Sequence, residues 1–212
     1  MGSLGKSDEK KPWAEEYPPK VKAMYEAVLA LFASGRELGS LKVEEITKKA
    51  GIGKGTAYEY FSTKEEIVIG ALNYEAKRYM EMLFQIVEQK KSFREVVMQA
   101  LLLMEQASDT YHGLMLMQRI VSDRELTGKG ILDELKKHKD SCQCAIKLRD
   151  CFVKLALEEE GITQTNHYKI ESAILSQFTA YGFYLTHKNL FSEIEQAKAR
   201  EFAYESIVKI LN

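Results

Sequence analysis

The segment AGIGKGTAYEYFSTKEE, residues 50–66, decides the fold of this chain. Before it, Val43, Ile46 and Ala50 recur at helical spacing, and after a glycine-containing turn Ala57 and Phe61 stand four residues apart. Two short helices joined by such a turn are typical of a helix-turn-helix. Because one face of the second helix has few apolar residues, we expect that face to contact a partner.

The face of residues 53–60 that packing does not require carries groups suited to a nucleic-acid groove. Lysines neutralise phosphate, threonine and tyrosine hydroxyls donate to phosphates or base edges, and glycine lets the backbone approach closely. Between residues 42 and 64, five lysines and three glutamates leave a net charge of +2, which is a modest patch. From these residues we predict contacts to DNA by Lys54, Gly55, Thr56, Tyr58, Tyr60 and Lys64.

The stretch VEEITKKAGIGKGTAYEYFSTKEEI, residues 43–67, resembles the DNA-binding signature of the TetR family, the tetracycline-repressor-like transcription regulators. The matching residues are Val43, Ile46, Ala50, Gly51, Gly55, Thr56, Tyr58, Tyr60, Phe61, Lys64 and Glu65. The resemblance implies an all-α homodimer with a helix-turn-helix domain, followed by a larger helical domain that binds a small effector and dimerises. It is dense over about 25 residues, whereas the rest of the chain agrees only in length and helical content.

Three positions depart from the family pattern. Lys42 stands where a small hydroxyl residue usually caps the second helix and touches phosphate, so the cap is in doubt while a lysine still reaches the DNA backbone. Thr47 replaces the usual alanine, and Gly53 replaces a serine N-cap at a cost of only a few tenths of a kcal/mol. Glu59 also faces the groove in this alignment. It either accepts a hydrogen bond from cytosine N4 or lies in solvent, and both interpretations remain open.

Composition favours an all-α protein, because 212 residues with only three prolines and thirteen glycines have few sites for turns, and long helices need fewer turns than a β fold. We predict an arm at 1–16, a helix-turn-helix domain at 17–64 and an effector-binding and dimerisation domain at 65–212. The first helix is expected to begin at Pro18-Pro19 and to end at Gly35, and Ser62-x-x-Glu65 matches a capping box for the fourth. The later helices are predicted at roughly 63–89, 92–111, 112–121, 130–160, 166–187 and 192–211.

We expect a cytoplasmic protein, because the sequence has no run of about 18 apolar residues and its first residues lack a signal-peptide core. The formal net charge of −1 gives no global attraction to nucleic acid. Cys142, Cys144 and Cys151 lie in one helical stretch, where inert thiols are favoured over a redox or metal pair. No metal or cofactor is predicted, and the absence of a nucleophile and base constellation argues against an enzyme.

Six of the eight methionines fall between positions 80 and 117, and methionine adapts to irregular apolar partners. These residues either fill a helical core or line an apolar effector pocket, which the family resemblance favours. His112 either donates to a polar group of the effector or only caps a helix. The predicted ligand-binding residues are Met80, Phe84, Met98, Leu101, Met104, Tyr111, His112, Met115, Phe152 and Tyr184.

The last two helices carry apolar stripes that either complete the core of one chain or pair with a second copy in a four-helix bundle. The resemblance implies the dimer, with Ile174, Phe178, Tyr181, Phe202 and Ile207 in its interface. We therefore predict a regulator, with repression favoured, that a small and largely apolar effector releases from operator DNA. The alternative is a helical protein that binds a ligand or partner and no longer binds DNA.

Overall fold

The computed structural model describes residues 17–89, 92–111 and 139–212, with the side chains in these ranges except those of 107–111 and 139–145. These residues form eight α-helices and no strand, which confirms the all-α prediction. The helices are α1 Pro19–Ala33, α2 Val43–Ala50, α3 Lys54–Tyr60, α4 Lys64–Gln89, α5 Phe93–Tyr111, α6 Lys139–Glu158, α7 His167–Thr186 and α8 Gln196–Ile210. The predicted arm, the predicted helix 112–121 and residues 130–138 lie outside the described residues.

The helix boundaries follow local chemistry, with two corrections to the sequence prediction. The capping box of α4 lies one residue later than predicted, because the Glu66 N–H donates to Thr63 Oγ1 at 3.1 Å and Glu66 Oε2 accepts the Ser62 N–H at 2.6 Å. The last helix begins at Gln196 rather than 192, because a 3₁₀ turn at Lys188–Phe191 occupies the preceding residues. The first helix begins at Pro19 as predicted and ends at Ala33, two residues before Gly35, whose φ is +89°.

The described residues build two hydrophobic cores that share α4. The first core joins α1, α2 and α3 to the first turns of α4, through buried residues such as Met24, Ile46 and Ile69. The second joins α5, α6, α7 and α8, with Leu83 and Val87 from the far end of α4 packed against it. Helix α4 therefore packs against both cores and connects them. Within the described ranges, no helix is both long and apolar enough to cross a bilayer.

A buried polar network ties α5 to both C-terminal helices. Glu105 of α5 is 7% exposed, and its Oε1 accepts hydrogen bonds from the Tyr181 hydroxyl at 2.5 Å and from the Arg200 guanidinium at 2.6 Å. Burial, followed by the hydrogen bond to Glu105, raises the pKa of Tyr181 far above its ordinary value of 10.0. The carboxylate is therefore paired and hydrogen-bonded, as a buried charge must be.

Replacing Tyr181 by phenylalanine is expected to lower the free energy of unfolding by about 1.5 kcal/mol, the low end for a hydrogen bond to a charged group, since Arg200 still pairs with Glu105. The raised pKa means that the folded chain holds this proton more tightly than the unfolded chain. The stabilisation is complete below pH ~10 and is lost as the pH rises further. Urea unfolding at pH 8 and pH 11 measures it, and the wild-type protein should lose more stability across that interval than the variant.

The matched control for that measurement is Tyr168→Phe, at the start of the same helix, where the tyrosine is 77% exposed. Its unfolding curve should follow the wild type at both pH values. An equal alkaline loss in Tyr181→Phe and wild type would contradict the role assigned to the network.

Candidate nucleic-acid interface

The turn between α2 and α3 is short and fixed by glycine. Gly51 ends α2 with φ +68°, a left-handed conformation that favours glycine, and its N–H donates to the carbonyls of Lys48 and Thr47. The Ile52 N–H also returns to the Thr47 carbonyl at 2.9 Å. Gly53 then caps α3 with extended backbone and no side-chain bond, as predicted. The three-residue turn thus holds α3 across α2 in a helix-turn-helix.

Helix α3 divides into a packed face and an open face. Ala57 is 1% exposed in the first core, and Ile52 and Phe61 pack against that core. On the other side Tyr58 is 53% exposed and Tyr60 43%. Lys54, Gly55 and Glu59 are also exposed, and Thr56 is half-buried. The structure therefore brings the predicted α3 residues together on one accessible surface, which we call the α3 face.

Lys42 is the N-cap residue of α2, and its side chain is exposed. Glu45 supplies the reciprocal half of a capping box, because its Oε2 accepts the Lys42 N–H at 2.9 Å while its Oε1 pairs with Arg36. The Glu45 N–H, which a small hydroxyl residue at position 42 would accept, donates to the Lys42 carbonyl at 3.0 Å. The Lys42 ammonium therefore has no capping task.

Lys64, another predicted DNA contact, makes contacts within its own chain. Its side chain is 26% exposed, and its ammonium donates to the Gly39 carbonyl at 2.6 Å and lies 3.6 Å from Glu65. These contacts fasten the start of α4 to the loop between α1 and α2. A substitution at Lys64 would therefore disturb packing as well as charge.

Glu44 contributes to the same surface and is not among the DNA contacts predicted from the sequence. It is in the first turn of α2, and its Oε1 accepts a hydrogen bond from the Lys54 ammonium at 2.7 Å across the turn. That hydrogen bond lowers the pKa of the Glu44 carboxyl and raises the pKa of Lys54. Ten residues separate the two, so no helical periodicity could have paired them.

The predicted effector residues fall into three groups. Phe84, Leu101 and Phe152 are buried, while Met98 and Met104 pack at the edge of the second core and Met80 is half-buried. Tyr184 lies elsewhere, because its ring stacks on Tyr181 and its hydroxyl donates to the Ile194 carbonyl at 2.9 Å. His112, Met115 and the side chain of Tyr111 lie outside what the structure describes.

A cleft of about 240 Å³ opens between α4 and α5, and none of the predicted effector residues with described side chains lines it. Four apolar side chains line it, Met82, Ile86, Leu102 and Leu103, together with four glutamines. The cleft combines apolar walls with amide donors and acceptors, as small-molecule sites commonly do. Among the described side chains, no three His, Cys, Asp or Glu are placed to hold a metal ion.

A larger apolar groove of about 1380 Å³ runs along α7 and α8. Leu175 and Phe202 stand in it at 69% and 67% exposure. Ile174 and Phe178, also predicted for the dimer, are half-buried against the second core. Tyr181 and Ile207 correct the prediction, because their side chains are 3% and 0% exposed and pack inside their own chain. Helices α7 and α8 each have one buried apolar side and one exposed apolar side. The apolar pattern of the sequence did not distinguish these two sides, so the predicted interface included buried residues.

Two comparisons bear on this architecture. The family model of bacterial regulatory proteins, tetR family, matches residues 29–71, which span the helix-turn-helix. Residues 29–71 therefore carry a DNA-binding segment of the TetR type. No curated protein matches it in sequence.

Solved structures of transcriptional regulators share the fold of this chain beyond the matched segment. FadR from Bacillus subtilis, in complex with stearoyl-CoA, is 16% identical with a TM-score of 0.63, over 90% of this chain and 97% of that one. The fatty acid degradation regulator FadR from Bacillus halodurans is 15% identical with a TM-score of 0.65, over 93% and 97%. A TetR family regulator from Marinobacter aquaeolei VT8 is 15% identical with a TM-score of 0.65, over 91% and 95%.

Proposed function

We propose that this protein is a ligand-responsive transcriptional regulator, a repressor that leaves its operator when a largely apolar effector binds. The observation that carries the proposal is the α3 face, where Lys54, Tyr58 and Tyr60 are exposed beside the half-buried Thr56 on a helix that follows a glycine turn. A monomer core gains nothing from leaving two tyrosines this open. In a major groove the same groups contact phosphates and base edges.

A homodimer is the second part of the proposal, and the apolar groove along α7 and α8 supports it. Two recognition helices must stand about 34–36 Å apart to enter successive major grooves, and a rigid dimer sets that distance. Exposed side chains such as Leu175, Phe202 and Ile210 offer the apolar area that such an interface buries. DNA affinity is then a property of the pair of chains.

The effector site is the third part of the proposal, in the cleft between α4 and α5 that Met82, Ile86, Leu102 and Leu103 line. FadR from Bacillus subtilis was solved with stearoyl-CoA, so long-chain acyl-CoA is the first effector class to titrate. Helix α4 contributes to both cores, and an effector that displaces its distal half would move the helix-turn-helix. Such coupling typically changes affinity by about 1–3 kcal/mol.

The DNA-binding proposal is tested by Tyr58→Ala and Lys54→Ala in fluorescence anisotropy titrations with duplexes selected by the wild-type protein from a random library. Each substitution is expected to weaken binding about tenfold or more, since a groove contact contributes about 1–3 kcal/mol and a dimer loses two. Tyr168→Ala, an exposed tyrosine on α7, is the matched control and should bind like wild type. A wild-type protein that selects no duplex even at low salt would support the alternative, a helical binding protein without DNA.

A further inference from the structure

The ion pair between Glu44 and Lys54 joins the two helices of the helix-turn-helix at the rim of the α3 face. The side chains are 68% and 50% exposed, and the 2.7 Å contact spans the turn. The neighbouring Glu45 caps α2 and holds Arg36. The two adjacent carboxylates therefore have different tasks, because Glu45 stabilises α2 and Glu44 contacts Lys54 at the start of α3.

This placement sets up a competition for Lys54. A phosphate that approaches the start of α3 must replace Glu44 as the partner of the ammonium, and it then lies beside a bare carboxylate. The Glu44 carboxylate therefore lowers the affinity for every duplex, whatever its sequence. A cytosine at the groove edge offsets part of that penalty, because its N4 amino group donates to a carboxylate.

We propose that Glu44 is a specificity-determining residue of this helix-turn-helix, which withholds Lys54 from indiscriminate phosphate contact and accepts a hydrogen bond from cytosine in the operator. The inference rests on the proposed DNA-binding function. It assigns to Glu44 a cost in affinity for random DNA and a gain in discrimination. A purely structural ion pair would instead change binding to all duplexes alike.

The test is Glu44→Gln, titrated against a random-sequence 30-bp duplex and against the duplex selected by wild type, over a range of salt concentrations. The variant should bind the random duplex about three- to tenfold more tightly, with a salt slope steeper by about one counterion per chain, as Lys54 gains a phosphate. Binding to the selected duplex should gain less or fall, so the ratio of the two affinities should drop at least about threefold. Selection repeated with the variant should lose a cytosine preference.

Two further variants keep the test decisive. Glu160→Gln makes the same change in net charge at an exposed position after α6 and should leave the affinity ratio unchanged. In a Lys54→Gln background, Glu44→Gln should no longer steepen the salt slope. An unchanged affinity ratio in Glu44→Gln, with an unchanged far-ultraviolet circular dichroism spectrum, would overturn the inference while the DNA-binding proposal stands. No binding by wild type to any duplex would defeat the DNA-binding proposal itself.

Discussion

Gly70→Ala is expected to lower the free energy of unfolding by about 1–3 kcal/mol, the usual cost of overpacking a core. A Cβ on this residue of α4 would lie 2.5 and 2.6 Å from Cε1 and Cζ of Tyr25 on α1, with the hydroxyl also in collision. The Tyr25 ring is 7% exposed and has little freedom to move. Its centroid lies 5.5 Å from that of Tyr17, 5.8 Å from Phe61 and 5.9 Å from Tyr74. The new methyl group therefore forces α1 and α4 apart.

The displacement should also reach the proposed DNA-binding surface, the α3 face, because Phe61 follows the last turn of α3 and packs on the same tyrosine ring. We expect the Gly70 variant to lose affinity for the selected duplex along with stability. Chemical denaturation and anisotropy titration on one preparation measure both effects.

Gly55→Ala is the matched control, since nothing lies within 4 Å of a Cβ at that position in α3. It should keep or slightly raise stability, by up to about 1 kcal/mol from helix propensity, while altering DNA contact. In a Tyr25→Ala background the cost of Gly70→Ala should largely vanish, because the colliding ring is gone. A Gly70 variant as stable as wild type would show that the two helices do not need this close approach.

Local sequence patterns predicted the helix-turn-helix well because its determinants are local. The i, i+4 pair Ala57 and Phe61 and the glycines of the turn fix which side of α3 packs, within a dozen residues. The predicted position of the α4 cap was wrong by one residue. Ser62 and Thr63 both carry a hydroxyl group, and each is followed three positions later by a glutamate. Only the observed hydrogen bonds distinguish the two overlapping boxes.

The larger domain was less predictable because its determinants are distant in sequence. Glu105 and Tyr181 are 76 residues apart, and Glu105 and Arg200 are 95 apart. A lone glutamate in an amphipathic pattern indicates a solvated surface, yet this one is buried. Glu75 of α4 is likewise 2% exposed beside Arg78, and burial raises the pKa of its carboxyl. Helical spacing does pair Glu75 with Arg78, but the burial of Glu75 and Glu105 follows from the tertiary arrangement, which periodicity does not encode.

The substitution Phe202→Glu is expected to convert the proposed dimer to monomers and to weaken binding to the selected duplex by about 100-fold or more, the usual loss when two linked sites act singly. Phe202 is 67% exposed in the groove of α7 and α8, where Leu175 and Phe183 also stand open. Burying a carboxylate among these side chains without a partner disfavours association. The folded monomer should persist, because the side chain contributes little to its own core.

Sedimentation velocity and anisotropy titration on the same samples separate association from DNA contact. Ile146→Glu, at a 43% exposed position on α6 away from the groove, is the matched control and should remain dimeric with wild-type affinity. The α3 face is intact in Phe202→Glu, so its residual DNA binding should be that of one half-site, with a salt slope about half that of the dimer. A Phe202→Glu protein that stays dimeric would place the interface elsewhere, and a monomer with full affinity would remove the need for a fixed spacing between two recognition helices.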